Sequence, residues 1–450
     1  MARILLRKAI TPMNDRLRNP LLFHIVLALL LSVCGSKTVW AAAPPNVVMI
    51  LSDDQAWGDY GFMGHPVLQT PNLDRLARES LTFRRGYVPA SLCCPSLASI
   101  ITGQYPSRHR VVSNDPPLPP GMSQREFMAS GLFETGRAKM NEFMDAAPTI
   151  PKLLVNQGYL ALQTGKWWQG NYAHGGFTHG MTVGNRHGDK GLEIGRKTMQ
   201  PIKDFIDDAT AKQKPFLVWY APMMPHDPHT PPERLLEKYR AKTPSIHVAK
   251  YWAMVEWFDE TCGELLNYLE EKKLAENTVV VFTTDNGWIQ DPESPKYALR
   301  SKQSQYDGGL RSPMMLRWKG TIAPRMDDTT AVSSIDFAPT ILKACGVSIP
   351  PQMQGVDLRD GSALQARTAV HGECYTHNMV DFETPANSLR WRWVIEGFQK
   401  LIVPHQRNEP EAKVELYDLK NDPFEAHNLA AEKPAEVERL SKVINARWNP

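Results

Sequence analysis

At 450 residues, with 42% hydrophobic and 22% charged residues and no low-complexity tract or fixed-period repeat, the chain is an ordinary globular one with room for a large core. This composition excludes intrinsic disorder, repeat architectures and small disulfide-stapled scaffolds. The formal charge of +3 is local: residues 1–43 hold six Lys/Arg and one Asp, so the rest carries about −2, and no basic stripe interleaved with aromatics remains to bind nucleic acid.

The chain opens with Arg3, Arg7, Lys8, Arg16 and Arg18, then the apolar run Leu21 to Val33, then Ala41 to Ala43. This reads as a secretory signal over residues 1–43. Its apolar run of 13 residues is shorter than the roughly 20 that a membrane-spanning helix needs. Branched Val33 ahead of Cys34 argues against a lipidation site. The expectation is an exported protein, periplasmic or secreted, with no stable membrane span in the mature chain. Five cysteines remain after cleavage: Cys93, Cys94, Cys262, Cys345 and Cys374. An odd number in an exported protein flags a thiol with a chemical role. Cys262 and Cys345 sit in apolar helical patterns and read as buried small hydrophobes.

Asn46 to Leu51 is a continuous apolar, β-branched run that ends in Ser52-Asp53-Asp54, as expected of a buried strand delivering acids at its carboxyl end. Phe216 to Tyr220, Val279 to Thr283 and Met314 to Trp318 repeat the format, and helical patterns such as Pro71 to Glu79 and Lys250 to Lys272 lie between them. The predicted fold class is α/β, with a large, mostly parallel sheet sandwiched by helices over residues 44–350. Ligands bind beyond the carboxyl ends of the strands in such sheets. Asp115 to Ala147 shows no clear periodicity and is predicted to shape the pocket rim. After Pro350-Pro351, short strand-like runs at Ala369 to Tyr375, Leu389 to Ile395 and Leu401 to Val403 precede a helix from Pro434 to Arg447. Residues 351–450 are therefore predicted to be a smaller α+β domain with a short antiparallel sheet.

Asp53-Asp54 and Asp285-Asn286-Gly287 close two of the predicted strands, and four oxygen side chains brought together would select calcium or magnesium. Either pair alone would more often cap a helix or turn. No His flanks either pair, which argues against a two-zinc site. Cys93 stands two residues before Pro95, a residue suited to the first turn of a helix. Its side chain is thus predicted beside a helix N-terminus, where anions are favoured. A buried Cys pair ahead of a core helix is the bland alternative.

Cys93-Cys94-Pro95-Ser96, with Ala98, Thr102-Gly103 and Tyr105-Pro106, resembles the signature of the type I sulfatases of the alkaline phosphatase superfamily. The resemblance continues in order through Asp53-Asp54, Gly165-Lys166-Trp167, Pro225-His226, Thr284 to Gly287, Lys302 and Tyr306 to Gly309, and runs from Asn46 to about Leu429. It implies that a separate formylglycine-generating enzyme oxidises Cys93 to formylglycine, whose hydrated aldehyde attacks the sulfur of a sulfate ester. It further implies one calcium ion on Asp53, Asp54, Asp285 and Asn286, and Lys166 and Lys302 on the sulfate charge. His226 would protonate the leaving alcohol, with His229 beside the substrate. Leu97 stands where the family has the Arg of its signature, and Trp168 where it has a His base. His174, His179 or His109 is the expected replacement base, and Arg108 or Arg186 the replacement charge. The implied function is hydrolysis of sulfate esters, with a sulfated carbohydrate or small molecule as the substrate. Alternatives are a phosphodiester or phosphonate hydrolase of the same superfamily and a non-catalytic binder of sulfated glycans.

Overall fold

The apolar run Asn46–Ser52 forms strand β1, buried at every position, as a strand covered on both faces must be. The structure is a computed structural model that describes residues 43–450, and all but the last residue of the predicted secretory signal lies outside them. In chain order follow α1 (Pro71–Arg78), β2 (Leu81–Tyr87), α2 (Cys93–Thr102), α3 (Gly131–Ala146), β3 (Leu160–Gly165), β4 (His179–Gly180) and β5 (Phe216–Ala221). Then come α4 (Ile246–Glu271), β6 (Thr278–Thr284), β7 (Arg311–Arg317), β8 (Arg325–Asp327), β9 (Val332–Ser333) and α5 (Phe337–Ala344).

Nine strands make one sheet in the order β4-β3-β5-β1-β6-β7-β2-β8, with β9 joined to β2. Every pairing is parallel except those of β7, which runs antiparallel to β6 and β2. Alternate residues of β1 enter opposite layers. Val47, Met49 and Leu51 meet α2, α3 and α5, whereas Val48 and Ile50 meet α1 and α4. Each such side chain stabilises the fold by about 1.5–3 kcal/mol relative to exposure.

Register brings the functional strand ends together. Ser52 pairs with Thr284 and Gly165 with Ala221, so β3, β5, β1 and β6, adjacent in that order, finish at one edge of the sheet. Gly165 has φ +76°, and a Cβ there would stand 1.9 Å from the Ala221 carbonyl oxygen. Only glycine lets the two chains close and Lys166 N–H reach that carbonyl at 2.6 Å.

Toward the C terminus, β10 (Ala369–Tyr375), β11 (Leu389–Glu396), β12 (Gln399–Pro404) and β13 (Glu415–Asp418) form an antiparallel sheet in sequence order. Helix α6 (Pro434–Arg447) covers it through Leu440 and Ile444. Lys400 of β12, fully buried, bonds Asp307 at 2.9 Å and Glu425 at 2.7 Å, which ties the small sheet to the chain ahead of β7.

Three expectations need correction. Asp115 to Ala147 is largely helical, with Gln124–Met128 followed by α3. Strands β2 and β3 carry no continuous apolar run and are additional to the predicted set. Cys345, at the end of α5, is only partly buried, whereas Cys262 is fully so. Among the described residues no helix is long and apolar enough to cross a membrane.

Candidate active site

Asp53 and Asp54 leave the end of β1 and meet Asp285 and Asn286 at the end of β6. Single oxygens of Asp53, Asp54 and Asp285 lie within 4.8 Å of one another. Asp54 adopts φ 63°, a left-handed conformation that Asp tolerates and that turns its carboxylate into the cluster. Its Oδ1 accepts from Asn286 Nδ2 at 2.6 Å and its Oδ2 from Lys302 Nζ at 2.7 Å. Lys166, delivered by β3, donates to Asp53 Oδ1 at 2.6 Å and lies 3.5 Å from Asp285 Oδ2. Three buried carboxylates thus face two buried ammonium groups, which leaves a negative surplus. Burial pushes the Asp285 carboxyl up to about 7, and the neighbouring Asp53 charge adds to the rise. Burial also raises Asp54, but Lys302, seconded by His226 and Lys166, holds it below the usual carboxylate range.

Two acceptor oxygens in the cluster, Asp53 Oδ2 and Asn286 Oδ1, are buried without a hydrogen-bond partner among the described residues. Orphaned oxygens beside surplus negative charge fit a hard divalent cation. The predicted ligand set Asp53, Asp54, Asp285 and Asn286 is therefore one constellation.

Cys93 is the first residue of α2, a helix buried on all sides. Its Sγ, one Asp53 oxygen and one His226 ring nitrogen lie within 4.8 Å of one another. Burial pushes the Cys93 thiol up to about 12 against the pull of Lys166 and Lys302, so the unmodified group is no ready thiolate.

His226 follows β5, with Nε2 3.4 Å from Asp54 Oδ2. Its Nδ1 bonds the Asp227 carbonyl at 2.5 Å. A carbonyl only accepts, so Nδ1 carries a hydrogen and Nε2 is the atom that exchanges a proton with the site. His229 packs between the rings of Tyr251 (5.5 Å) and Trp288 (5.9 Å), and Trp288 also lies 5.6 Å from Lys302 Nζ.

The turn bearing His226 is pinned by Arg196, which sequence reasoning did not single out. Its guanidinium donates to Met223 O at 3.0 Å through Nε and to His226 O at 2.9 Å through Nη2. Replacing Arg196 by Ala should lower turnover of alkyl sulfates roughly tenfold more than that of aryl sulfates, because only poor leaving groups need the positioned proton. Equal losses on both substrate sets, measured as kcat, would show that Arg196 merely stabilises the turn.

A protein-family model described as Sulfatase matches residues 45–347. The chain belongs to the sulfatase family. A second model, described as N-sulphoglucosamine sulphohydrolase, C-terminal, matches residues 296–447. The sulfatase is 28% identical to N-acetylgalactosamine-6-sulfatase of Canis lupus familiaris over 385 residues, 74% of this chain and 68% of that one. It is 29% identical to human arylsulfatase A over 386 residues (74% and 70%) and 25% identical to a sulfatase of Formosa agariphila over 519 aligned positions (92% and 89%). Solved structures share its fold. A protein in complex with its substrate D-glucosamine-2-N,6-O-disulfate aligns with TM-score 0.68 at 21% identity, covering 90% of this chain and 97% of that one. The phosphonate monoester hydrolase of Agrobacterium radiobacter aligns with TM-score 0.65 at 18% identity (89% and 95%). The protein is a sulfuric ester hydrolase.

At the two departures from the family pattern, other charged and ring side chains gather. Leu97 is a core residue of α2. Arg137 of α3 brings a positive charge to Cys94: it bonds Asn114 O at 2.8 Å, while the Asn114 side chain holds Cys94 N–H at 3.0 Å. Trp168 is buried, and around its ring stand Arg186 (4.7 Å), Arg137 (5.5 Å), Lys166 (5.9 Å) and the imidazole of His187 (4.4 Å). Of the proposed replacement charges, Arg186 thus lies by the site, whereas Arg108 lines a separate cavity with Gln104, Phe143 and Pro351.

None of the three predicted replacement bases bonds a site residue. His174 pairs with Asp145 at 2.8 Å, His179 bonds Thr178 on the sheet edge, and His109 is buried against Ser99 at 2.9 Å. The histidine that does stand beside Trp168 and His226 is His187. Its signal was the run of glycines Gly184, Gly188 and Gly191. A Cβ at Gly188 or Gly191 would come within 2.5 Å of the Gly165 carbonyl oxygen, so these glycines let the chain fold back over β3.

Proposed function

We propose that this sulfatase removes sulfate from sulfated carbohydrates outside the cytoplasm, using a formylglycine made from Cys93 and one calcium ion on Asp53, Asp54, Asp285 and Asn286. The observation that carries this reading is the meeting of Cys93 Sγ, Asp53 and His226 within 4.8 Å at one sheet edge. The carbohydrate class is supported by relatives named for N-acetylgalactosamine 6-sulfate and by a neighbour bound to a sulfated glucosamine. Export is supported by the composition of residues 1–43.

When present, the ion would supply a Lewis acid for the sulfate oxygens and the formylglycine a hydrated aldehyde as nucleophile. The chain's own residues supply the rest. Lys166 and Lys302 are buried, and their acid neighbours hold both ammonium groups charged, so each neutralises sulfate oxygens in a site from which water is excluded. His226, oriented through Nδ1–H on the Asp227 carbonyl, gives the Nε2 proton to the departing alcohol oxygen. His229 stands on the same turn, beside the alcohol. Cys93 is 1% exposed, so a formylglycine-generating enzyme must act before the fold closes over it.

The test is the mass of the Cys93 peptide from protein made with and without a formylglycine-generating enzyme, alongside sulfate release from 4-nitrophenyl sulfate. An intact thiol in active protein would overturn the reading. A chelator should abolish turnover and lower Tm by several degrees, both restored by calcium, because an ion that binds only the folded state adds about 2.7 kcal/mol at a hundredfold excess over Kd. Activity indifferent to exhaustive chelation would remove the ion from the site.

A further inference from the structure

We propose that Arg186 and His187 form a second anion-binding subsite on the leaving-alcohol side of the active site, taking a carboxylate or a further sulfate carried by the departing sugar. The inference rests on the reading of His226 as the group that serves the leaving alcohol.

Arg186 is fixed on three sides. Its Nε and Nη2 donate to the two oxygens of Asp115 at 2.9 and 3.1 Å, its plane lies 4.7 Å from the Trp168 ring centre, and its Nη1 donates to His187 Nε2 at 2.8 Å. Asp115 is fully buried, yet the Arg186 side chain keeps 24% of its surface open. Nη1 and Nη2 each carry a second hydrogen that these bonds do not use. The guanidinium is thus preorganised, and an acidic group that meets it pays little ordering entropy.

His187 adds a neutral donor. Arginine only donates, so His187 Nε2 accepts and the neutral ring carries its hydrogen on Nδ1. Burial first, then the charge of Arg186, keeps the imidazole far from protonation. Its ring centre is 6.1 Å from that of His226. The pair therefore stands beside the residue read as the donor to the leaving alcohol. Asp115 offsets one positive charge, but Arg137, on the same tryptophan, enters no ion pair among the described residues, so the patch keeps a positive surplus. Trp168 Nε1, buried without a partner among the described residues, marks the same spot as incompletely satisfied.

A salt bridge that merely holds the loop would affect all substrates alike, whereas a subsite changes their ratio. Three probes decide: an N-acetylhexosamine with one sulfate ester, the same sugar with a second sulfate, and the same sulfated sugar linked to a uronate. The double variant Arg186→Gln/Asp115→Asn leaves no orphaned buried carboxylate, and Arg186→Lys serves as a second variant that keeps charge but loses the fork. In both, kcat/KM for one or both dianionic probes should fall about tenfold to hundredfold relative to the monoanionic one, mainly through KM. The probe affected tells carboxylate from sulfate. Calorimetric titration of the same sugars into Cys93→Ala protein, with and without the double variant, reads the subsite without turnover. An unchanged ratio and unchanged relative affinities would overturn the subsite. Loss of all sulfate release in otherwise unmutated, formylglycine-bearing protein would count instead against the reading on which it rests.

Discussion

Protein carrying Cys93→Ala releases sulfate from 4-nitrophenyl sulfate on the order of 10⁴-fold more slowly than the formylglycine-bearing protein, or not at all. The described side chains around Asp53 are carboxylates bonded to Lys166, Lys302 and Asn286 and the imidazole of His226, and none of them can form the hydrated aldehyde that attacks the sulfur. The substitution removes one buried sulfur from the start of α2 and adds no polar group, so the fold should persist with a small loss of stability. The thermal unfolding curve checks that, and calcium should still shift it. Retained turnover at even a hundredth of the normal rate would mean that a metal-bound water or another side chain attacks the sulfur. Unmodified Cys93 should be nearly as inactive as the alanine variant, since burial keeps its thiol protonated at neutral pH.

Much of the fold was legible because parallel strands covered on both faces have to be continuous apolar runs. β1, β5 and β6 are buried at every position, and each announced itself. β2 and β3 did not. Arg84 and Arg85 interrupt β2, and Gln163 and Thr164 sit in β3 where their polar atoms find partners that no sequence pattern displays. Helix α3 hid for a different reason: Gly131, Thr135 and Gly136 weaken its helical signal, and tertiary packing of Met140, Phe143 and Met144 overrides that weakness. Asp53-Asp54 and Asp285-Asn286 were legible at strand ends, whereas Lys166, Lys302 and His226 were legible only through the family motifs, Lys302 lying in the loop between β6 and β7. Arg137, Arg196 and His187 were not, because their roles depend on where a loop or helix returns in space. Arg137 reaches Asn114 from α3, Arg196 reaches back across the His226 turn, and His187 lies over Trp168 only because glycines let the chain double back.

Replacing Asp54 by Asn should lower sulfate release by on the order of 10³-fold at ordinary calcium, with partial recovery as calcium is raised. The substitution is close to isosteric, and Asn tolerates the left-handed backbone that Asp54 adopts at φ 63°. What changes is charge. Asp54 Oδ2 is the acceptor for Lys302 Nζ at 2.7 Å and lies 3.4 Å from His226 Nε2, so the neutral side chain leaves Lys302 buried beside a weaker partner. Breaking one half of a buried pair costs about 3–5 kcal/mol when nothing compensates. An amide oxygen recovers part of that, and the two remaining carboxylates, Asp53 and Asp285, keep the cluster electronegative. Two effects therefore combine, a weakened cation site and a lysine less firmly held for the sulfate. Titration separates them: rescue by calcium reads the first, and the KM that persists at saturating calcium reads the second. Rescue should be incomplete, because calcium replaces the lost charge for the substrate oxygens but not the Asp54–Lys302 bond. Full activity without added calcium would show that Asp54 is no ligand, and an unfolded variant at every calcium concentration would show that its charge serves stability alone.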